Sequence, residues 1–69
     1  MDTLLSVLLY FQTIAPNTTY TTTDIVDVAS PIVTEIQAVV QDPILLQDIL
    51  IYTEPQVETI IVIDDHEQQ

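Results

Sequence analysis

The chain has 69 residues, with no cysteine, no glycine and no lysine or arginine, and its 11 aspartates and glutamates give a formal net charge of −11. The missing cations exclude direct binding to nucleic acid and to anionic membranes, because both depend on positive side chains that contact phosphate. The missing cysteines exclude disulfides and thiolate metal sites, and the missing glycines exclude a phosphate-cradling loop and with it most enzyme architectures.

The composition also indicates a need for partners. Hydrophobic residues make up 48% of the chain, which is more than a small chain readily hides, because it buries only about 60% of its unfolded surface. A core of this size rarely supplies more than about 3–5 kcal/mol, and no disulfide supports it. We therefore expect one small domain, residues 1–69, that oligomerises or docks on a larger protein.

The first predicted element is an N-terminal apolar helix within residues 2–14. Its apolar side chains cover well over half of the helical circumference, which is typical of a helix buried between neighbours. The segment lacks the positive residues and the cleavage site of a signal peptide, and at about 12 residues it is too short to cross a bilayer. Ala15 and Pro16 are expected to end this helix.

A polar connector follows, and then a short strand. Residues 17–24 include five threonines, which favour an extended backbone. Residues 25–28, Ile-Val-Asp-Val, are too few to decide between helix and strand by themselves, and we interpret them as a short strand.

A central helical pair is predicted over residues 31–53. In its first member, residues 31–41, the apolar side chains recur at the spacing of one helical face. Ser30 occupies the N-cap position, and Pro31 takes the first helical position, where its missing N–H is not needed. These start signals favour an amphipathic helix.

The second member of the pair, residues 43–53, is ambiguous between helix and strand. The Asp42-Pro43 start favours the helix. In this helix Ile51 falls away from the buried face, which indicates a contact surface. Pro55 is expected to close the helix.

A C-terminal strand is predicted over residues 57–63, where four consecutive apolar residues, three of them isoleucine, are typical of a buried strand. Residues 64–69 are interpreted as an acidic tail. The fold class that follows is a small, helix-dominated α+β chain.

Two alternatives to this fold class stay open. Isoleucine, valine and threonine make up 28 of the 69 residues, and this bias favours an all-β fold. Pro31, Pro43 and Pro55 stand 12 residues apart, which suggests a β-repeat, although the apolar phase is lost after a few positions. The absence of turn glycines argues against both alternatives.

No catalytic, cofactor or metal site is predicted, and we do not expect an enzyme. His66 is the sole histidine. With Asp64, Asp65 and Glu67 it could contact a cation, but adjacent ligands on a terminal tail match no zinc spacing. The two serines, Ser6 and Ser30, lie far from it in sequence, so no nucleophile is expected beside it.

The residues that we predict to bind a partner are exposed carboxylates, amphipathic rings and one outward isoleucine. Each carboxylate needs water, an N–H or hydroxyl group, a cation, or a basic residue of another chain. Tyrosine rings commonly anchor interfaces. The predicted set is Asp24, Asp27, Glu35, Asp42, Glu54, Glu58, Tyr10, Tyr52 and Ile51.

Three functions fit these features. The first is a structural or assembly subunit that joins copies of itself or a basic partner protein in an oligomer, filament or virion-like particle. The second is an acidic inhibitor or decoy that occupies the basic groove of a nucleic-acid-binding protein. The third is a halophilic domain whose acidity serves solubility. The composition is associated with viral and phage genes, which suggests a virion or host cytoplasm, but the residues themselves assign no compartment.

We expect salt to stabilise the folded chain, because its carboxylates repel one another and have no internal lysine or arginine to offset them. Raising sodium chloride from about 20 mM to about 500 mM shortens the Debye length severalfold, so the melting temperature should rise by about 5 °C or more. Thermal unfolding followed by circular dichroism measures this shift. A melting temperature that is constant or falls over this range would contradict the self-repulsion.

Overall fold

The computed structural model describes residues 2–65, and within them it has four α-helices, a 3₁₀ turn and two short strands. In chain order the elements are α1 (Asp2–Tyr10), β1 (Thr19–Thr21), α2 (Thr22–Ala29), the 3₁₀ turn (Ser30–Ile32), α3 (Val33–Val40), α4 (Pro43–Val57) and β2 (Ile61–Ile63). The prediction of a helix-dominated α+β chain is confirmed. The all-β and β-repeat alternatives are wrong, because α-helices contain most of the β-branched residues.

Helix α1 lies at the centre of the packing. Five consecutive residues, 5–9, are buried, so neighbours surround most of its circumference. One cluster of buried side chains joins α1 to the following loop, to α2 and to the residue before β2: Leu5, Leu8, Leu9, Ile14, Ile25 and Ile60. A second cluster joins α1 to α3 and α4: Val7, Val39 and Ile49.

Helix α1 ends at Tyr10, before the predicted proline stop. The N–H groups of Gln12 and Thr13 donate to the carbonyls of Leu9 and Leu8, both at 3.0 Å, as in a Schellman motif. This motif needs a residue in the left-handed region, which is usually glycine. Gln12 fills that position with φ 62°, so the chain reverses here without a glycine.

The two strands pair in parallel, with Thr19 opposite Ile61 and Thr21 opposite Ile63. A parallel pair needs a long crossover rather than a tight turn, and α2, α3 and α4 provide that crossover. This topology suits a chain that has no glycine for a two-residue hairpin.

The prediction of a strand at residues 25–28 is wrong, because these residues lie in α2. A capping box starts this helix: the Oγ1 of Thr21 accepts from the N–H of Asp24, and the Oδ2 of Asp24 accepts from the N–H of Thr21, both at 3.0 Å. This reciprocal cap outweighs the β-branched composition. The predicted connector 17–24 therefore contains β1 and the first turn of α2.

The predicted helix 31–41 begins differently from the expectation. Ser30 is not an N-cap: its backbone is helical, and its Oγ donates to the carbonyl of Val26 at 2.8 Å. Pro31 lies in the 3₁₀ turn, where its missing N–H interrupts the α-helical bonding between α2 and α3. Helix α3 begins at Val33.

Helix α4 extends past the predicted segment 43–53, so the expected stop at Pro55 is wrong. A proline inside a helix removes the N–H that would bond to the carbonyl four residues earlier, here Ile51. Both residues are exposed, so the interruption lies at the surface of the fold. The predicted strand 57–63 is shortened to Ile61–Ile63, because α4 continues to Val57.

We expect Leu8→Ala to cost about 2–5 kcal/mol of unfolding free energy, because Leu8 is fully buried and truncation leaves a cavity. The loss approaches the whole stability of so small a core, about 3–5 kcal/mol. The variant should therefore be largely unfolded in urea titrations followed by circular dichroism. The matched control is Ile44→Ala at an exposed position, which should change the unfolding free energy by less than about 0.5 kcal/mol. Similar losses in both variants would contradict the described core.

Candidate docking surface

Among the described residues, the most exposed large apolar side chains lie on α4. Ile44 and Tyr52 are each 76% exposed, and Ile51 is 64% exposed. Their spacing of seven and eight residues puts all three on one face of the helix. Full burial of an isoleucine side chain is worth about 1.5–3 kcal/mol. These three side chains therefore expose apolar surface whose burial by another molecule would be favourable.

A groove of about 460 Å³ runs between the end of α1 and the middle of α4. We call it the α4 groove. Its walls and floor are mostly apolar, and one carboxylate lies among them. The lining residues are Tyr10, Leu45, Asp48, Ile49, Ile51 and Tyr52.

The floor and one wall of the α4 groove are held by packing. Ile49 is buried against Val7 of α1, and the buried Oγ1 of Thr53 donates to the carbonyl of Ile49 at 2.7 Å. At the wall, the ring of Tyr10 meets Phe11 edge to face, with ring centroids 5.2 Å apart, an arrangement that aromatic pairs favour. The groove is thus built by the contact between α1 and α4.

An adjoining hollow of about 300 Å³ shares Tyr10 and Tyr52 with the α4 groove. It continues toward the loop after α1, where Gln12 and Pro16 line it, and toward Gln56 on α4. The two tyrosines therefore stand between a mostly apolar groove and a more polar one.

The structure brings together three of the nine predicted partner-binding residues, Tyr10, Ile51 and Tyr52, which all line the α4 groove. Glu54 and Glu58 instead line a separate hollow of about 260 Å³ on another side of α4. The predicted set is therefore divided between different surfaces.

The four other predicted carboxylates do not line the α4 groove. Asp24 and Asp42 act as helix caps, and the Oδ1 of Asp42 accepts from the N–H of Leu45 at 3.2 Å. Asp27 and Glu35 are exposed on α2 and α3. The structure thus gives two of these carboxylates a role within the fold.

Sequence reasoning missed Asp48 and Leu45 as parts of this surface. Asp48 stands three and four residues before Ile51 and Tyr52, a spacing that places all three side chains near one another on a helix. The position of Asp48 beside Ile51 and Tyr52 can therefore be predicted from the sequence. The position of Tyr10 beside α4 cannot, because it depends on how α1 packs against α4.

All nine carboxylate residues from 24 to 65 are exposed. No lysine or arginine occurs anywhere in the sequence to pair with them. Asp48 differs from the other eight because it lines the apolar α4 groove. Any molecule that covers the groove must take this carboxylate out of water or provide it with a hydrogen-bond donor.

A second apolar surface is formed by β2, where Ile61 and Ile63 are both exposed. Their register partners Thr19 and Thr21 lie on the same face of the sheet. Val62, which points to the other face, packs against the buried cluster around α1. One face of this small parallel sheet is therefore open, whereas parallel sheets are usually covered on both faces.

Two kinds of site do not occur in the part of the chain that the structure describes. No three acidic or histidine side chains between residues 2 and 65 are grouped so that they could hold a metal ion; His66 and Glu67, and most of the predicted tail 64–69, lie outside the described residues. None of the described helices is both long and apolar enough to span a bilayer.

Comparison with protein-family models, characterised proteins and solved structures finds no match to this chain.

We expect Asp42→Ala to lower the unfolding free energy by about 1 kcal/mol, because the cap of α4 is lost. Asp42→Asn should change it by only a few tenths, since asparagine caps about as well as aspartate. Urea unfolding followed by circular dichroism measures both values. A cost in Asp42→Asn equal to that in Asp42→Ala would show that the charge of Asp42, and not its capping bond, carries the effect.

Proposed function

We propose that the chain is a structural or assembly subunit, and that it completes its apolar burial by oligomerising or by docking in a multi-chain particle such as a virion or filament. In this proposal the apolar helix α1 organises the core, and the exposed apolar faces of α4 and of the sheet are the candidate contact surfaces. The observation that carries the proposal is the exposure of Ile44, Ile51 and Tyr52 on one face of α4. An enzymatic role is not proposed.

The open face of the sheet supports the same function. Ile61 and Ile63 add exposed apolar surface at a second place in the chain. Scattered single apolar residues are ordinary on protein surfaces, whereas grouped ones mark interaction sites. Two such groups on one small chain suit a subunit that has neighbours on more than one side.

The decoy function is the weaker of the two interaction proposals. A decoy of nucleic acid needs carboxylates in place of a row of phosphates. The α4 groove has a single carboxylate, Asp48, among apolar side chains. Asp24 and Asp42 are engaged in capping. The surface therefore favours apolar docking with some charge recognition over imitation of a phosphate backbone.

Purification under native conditions from the organism that makes the chain tests the function. Light scattering coupled to size exclusion, at low micromolar concentration, should give a mass well above the 7.8 kDa of one chain. The ratio of chains should be constant across the peak. Because apolar contacts resist screening, the assembly should persist in high salt, whereas a decoy complex should dissociate. A clean monomer without a stoichiometric partner would overturn the proposal.

A further inference from the structure

We propose that the α4 groove binds a basic amphipathic helix of a partner protein, which places apolar side chains between Tyr10 and Ile51 and a lysine or arginine on Asp48. This inference rests on the proposed function, which requires a contact surface but does not say which surface it is or what it binds. The shape of the groove and its charge carry the argument.

The shape of the groove suits a helix. Leu45, Asp48, Ile49 and Tyr52 lie within eight residues of α4, which span about 10 Å along the helix axis. That length corresponds to about two turns of a partner helix. Ile49 forms a buried apolar floor, and Tyr52 stands exposed at one end. An amphipathic helix laid in an apolar groove is a recurrent mode of peptide recognition, in which anchors repeat every three or four residues.

The charge of the groove identifies the partner as basic. A helix that covers Ile51 and Tyr52 also covers Asp48, three and four residues away on the same side of α4. A carboxylate that is buried without a partner strongly opposes binding, because it loses its hydration and gains nothing in return. Within this chain no lysine or arginine exists to offset that cost. The compensating cation must therefore come from the bound molecule.

A second copy of the chain is a poorer occupant than a basic protein. It would bring its own charge of −11, and His66 is its sole side chain that can become positive near neutrality. Like charges brought together across an interface oppose association. A neutral lipid surface would bury the apolar residues but leave the carboxylate unpaired. Charge complementarity therefore favours a basic protein helix over a second copy of the chain and over a neutral lipid surface.

Model peptides test the inference with the whole chain. The probe is a helical peptide of leucine and lysine, about 14 residues long, with its leucines in one stripe. One comparison peptide has glutamate in place of every lysine, and another has the same composition in scrambled order. Titration calorimetry measures binding at physiological salt. We expect the leucine-lysine peptide to bind and both comparison peptides to bind at least tenfold more weakly.

Variants of the chain then locate the contact. Asp48→Asn should weaken binding of the leucine-lysine peptide by about threefold to tenfold, and Ile51→Thr by about fivefold. The matched controls are Asp64→Asn and Val26→Thr, which make the same changes of charge and polarity at exposed positions outside the groove. Both controls should alter the affinity by less than about twofold. Circular dichroism verifies that each variant is folded.

Several outcomes would overturn the inference. Equal weakening by Asp48→Asn and Asp64→Asn would indicate general attraction between opposite charges. Equal binding of the glutamate peptide or of the scrambled peptide would remove the basic helix as occupant, and so would failure of the leucine-lysine peptide to bind. Self-association of the chain, or binding to phosphatidylcholine vesicles, that Ile51→Thr abolishes would assign the groove to a second copy or to lipid.

Failure of this inference differs from failure of the proposed function. If the native assembly forms normally with both Asp48→Asn and Ile51→Thr in place, the chain is a subunit whose contact lies elsewhere, and the inference alone is wrong. If the unmodified chain forms no assembly at all, the proposed function itself is wrong.

Discussion

The carboxylates of this chain must be satisfied without lysine or arginine, and backbone N–H groups contribute hydrogen bonds to three of those that the structure describes, Asp24, Asp42 and Asp65. Asp24 accepts from the N–H of Thr21, the N-cap residue of α2, and Asp42 accepts from the N–H of Leu45 in the first turn of α4. Asp65 accepts from the N–H of Thr23, in the first turn of α2, at 3.2 Å. Free N–H groups and the positive end of the helix dipole both favour an anion there. Helix N-termini thus serve as the internal counter-charges of the fold.

The lack of glycine is a second constraint, and the fold meets it with polar residues and a parallel sheet. Gln12 and Asn17 adopt φ of 62° and 58°, conformations that glycine takes most easily. The N–H of Asn17 donates to the Oγ1 of Thr59 at 2.8 Å, which ties the loop before β1 to the segment before β2. That bond helps to fix the two strands side by side, so pairing does not depend on a tight turn between them.

The sequence predicts those features that depend on local bonds and misses those that depend on packing. The start of α4 follows from Asp42-Pro43, because cap and proline act within one turn. The start of α2 was equally local: Thr21 and Asp24 have the spacing of a capping box, but the β-branched residues after them concealed it. The course of α4 through Pro55 could not be predicted, since it depends on tertiary contacts that hold the helix on both sides of the proline.

The proposed contact surface on α4 is likewise predictable only where it depends on local spacing. Ile44 and Ile51, seven residues apart, can be placed on the outer side of α4 from periodicity alone. The α4 groove also needs Tyr10, and a helix as uniformly apolar as α1 gives no sign of which side faces α4.

The position of Asp48 is what makes the acidity informative about a partner. If the carboxylates served only solubility, any exposed position would do, and a groove lined by Leu45, Ile49 and Ile51 would be a poor choice because the charge opposes its covering. With a basic partner the same charge becomes useful: it repels further copies of this chain and attracts the one kind of molecule that can neutralise it. Apolar area would then provide most of the affinity, while Asp48 would decide which apolar helices are accepted.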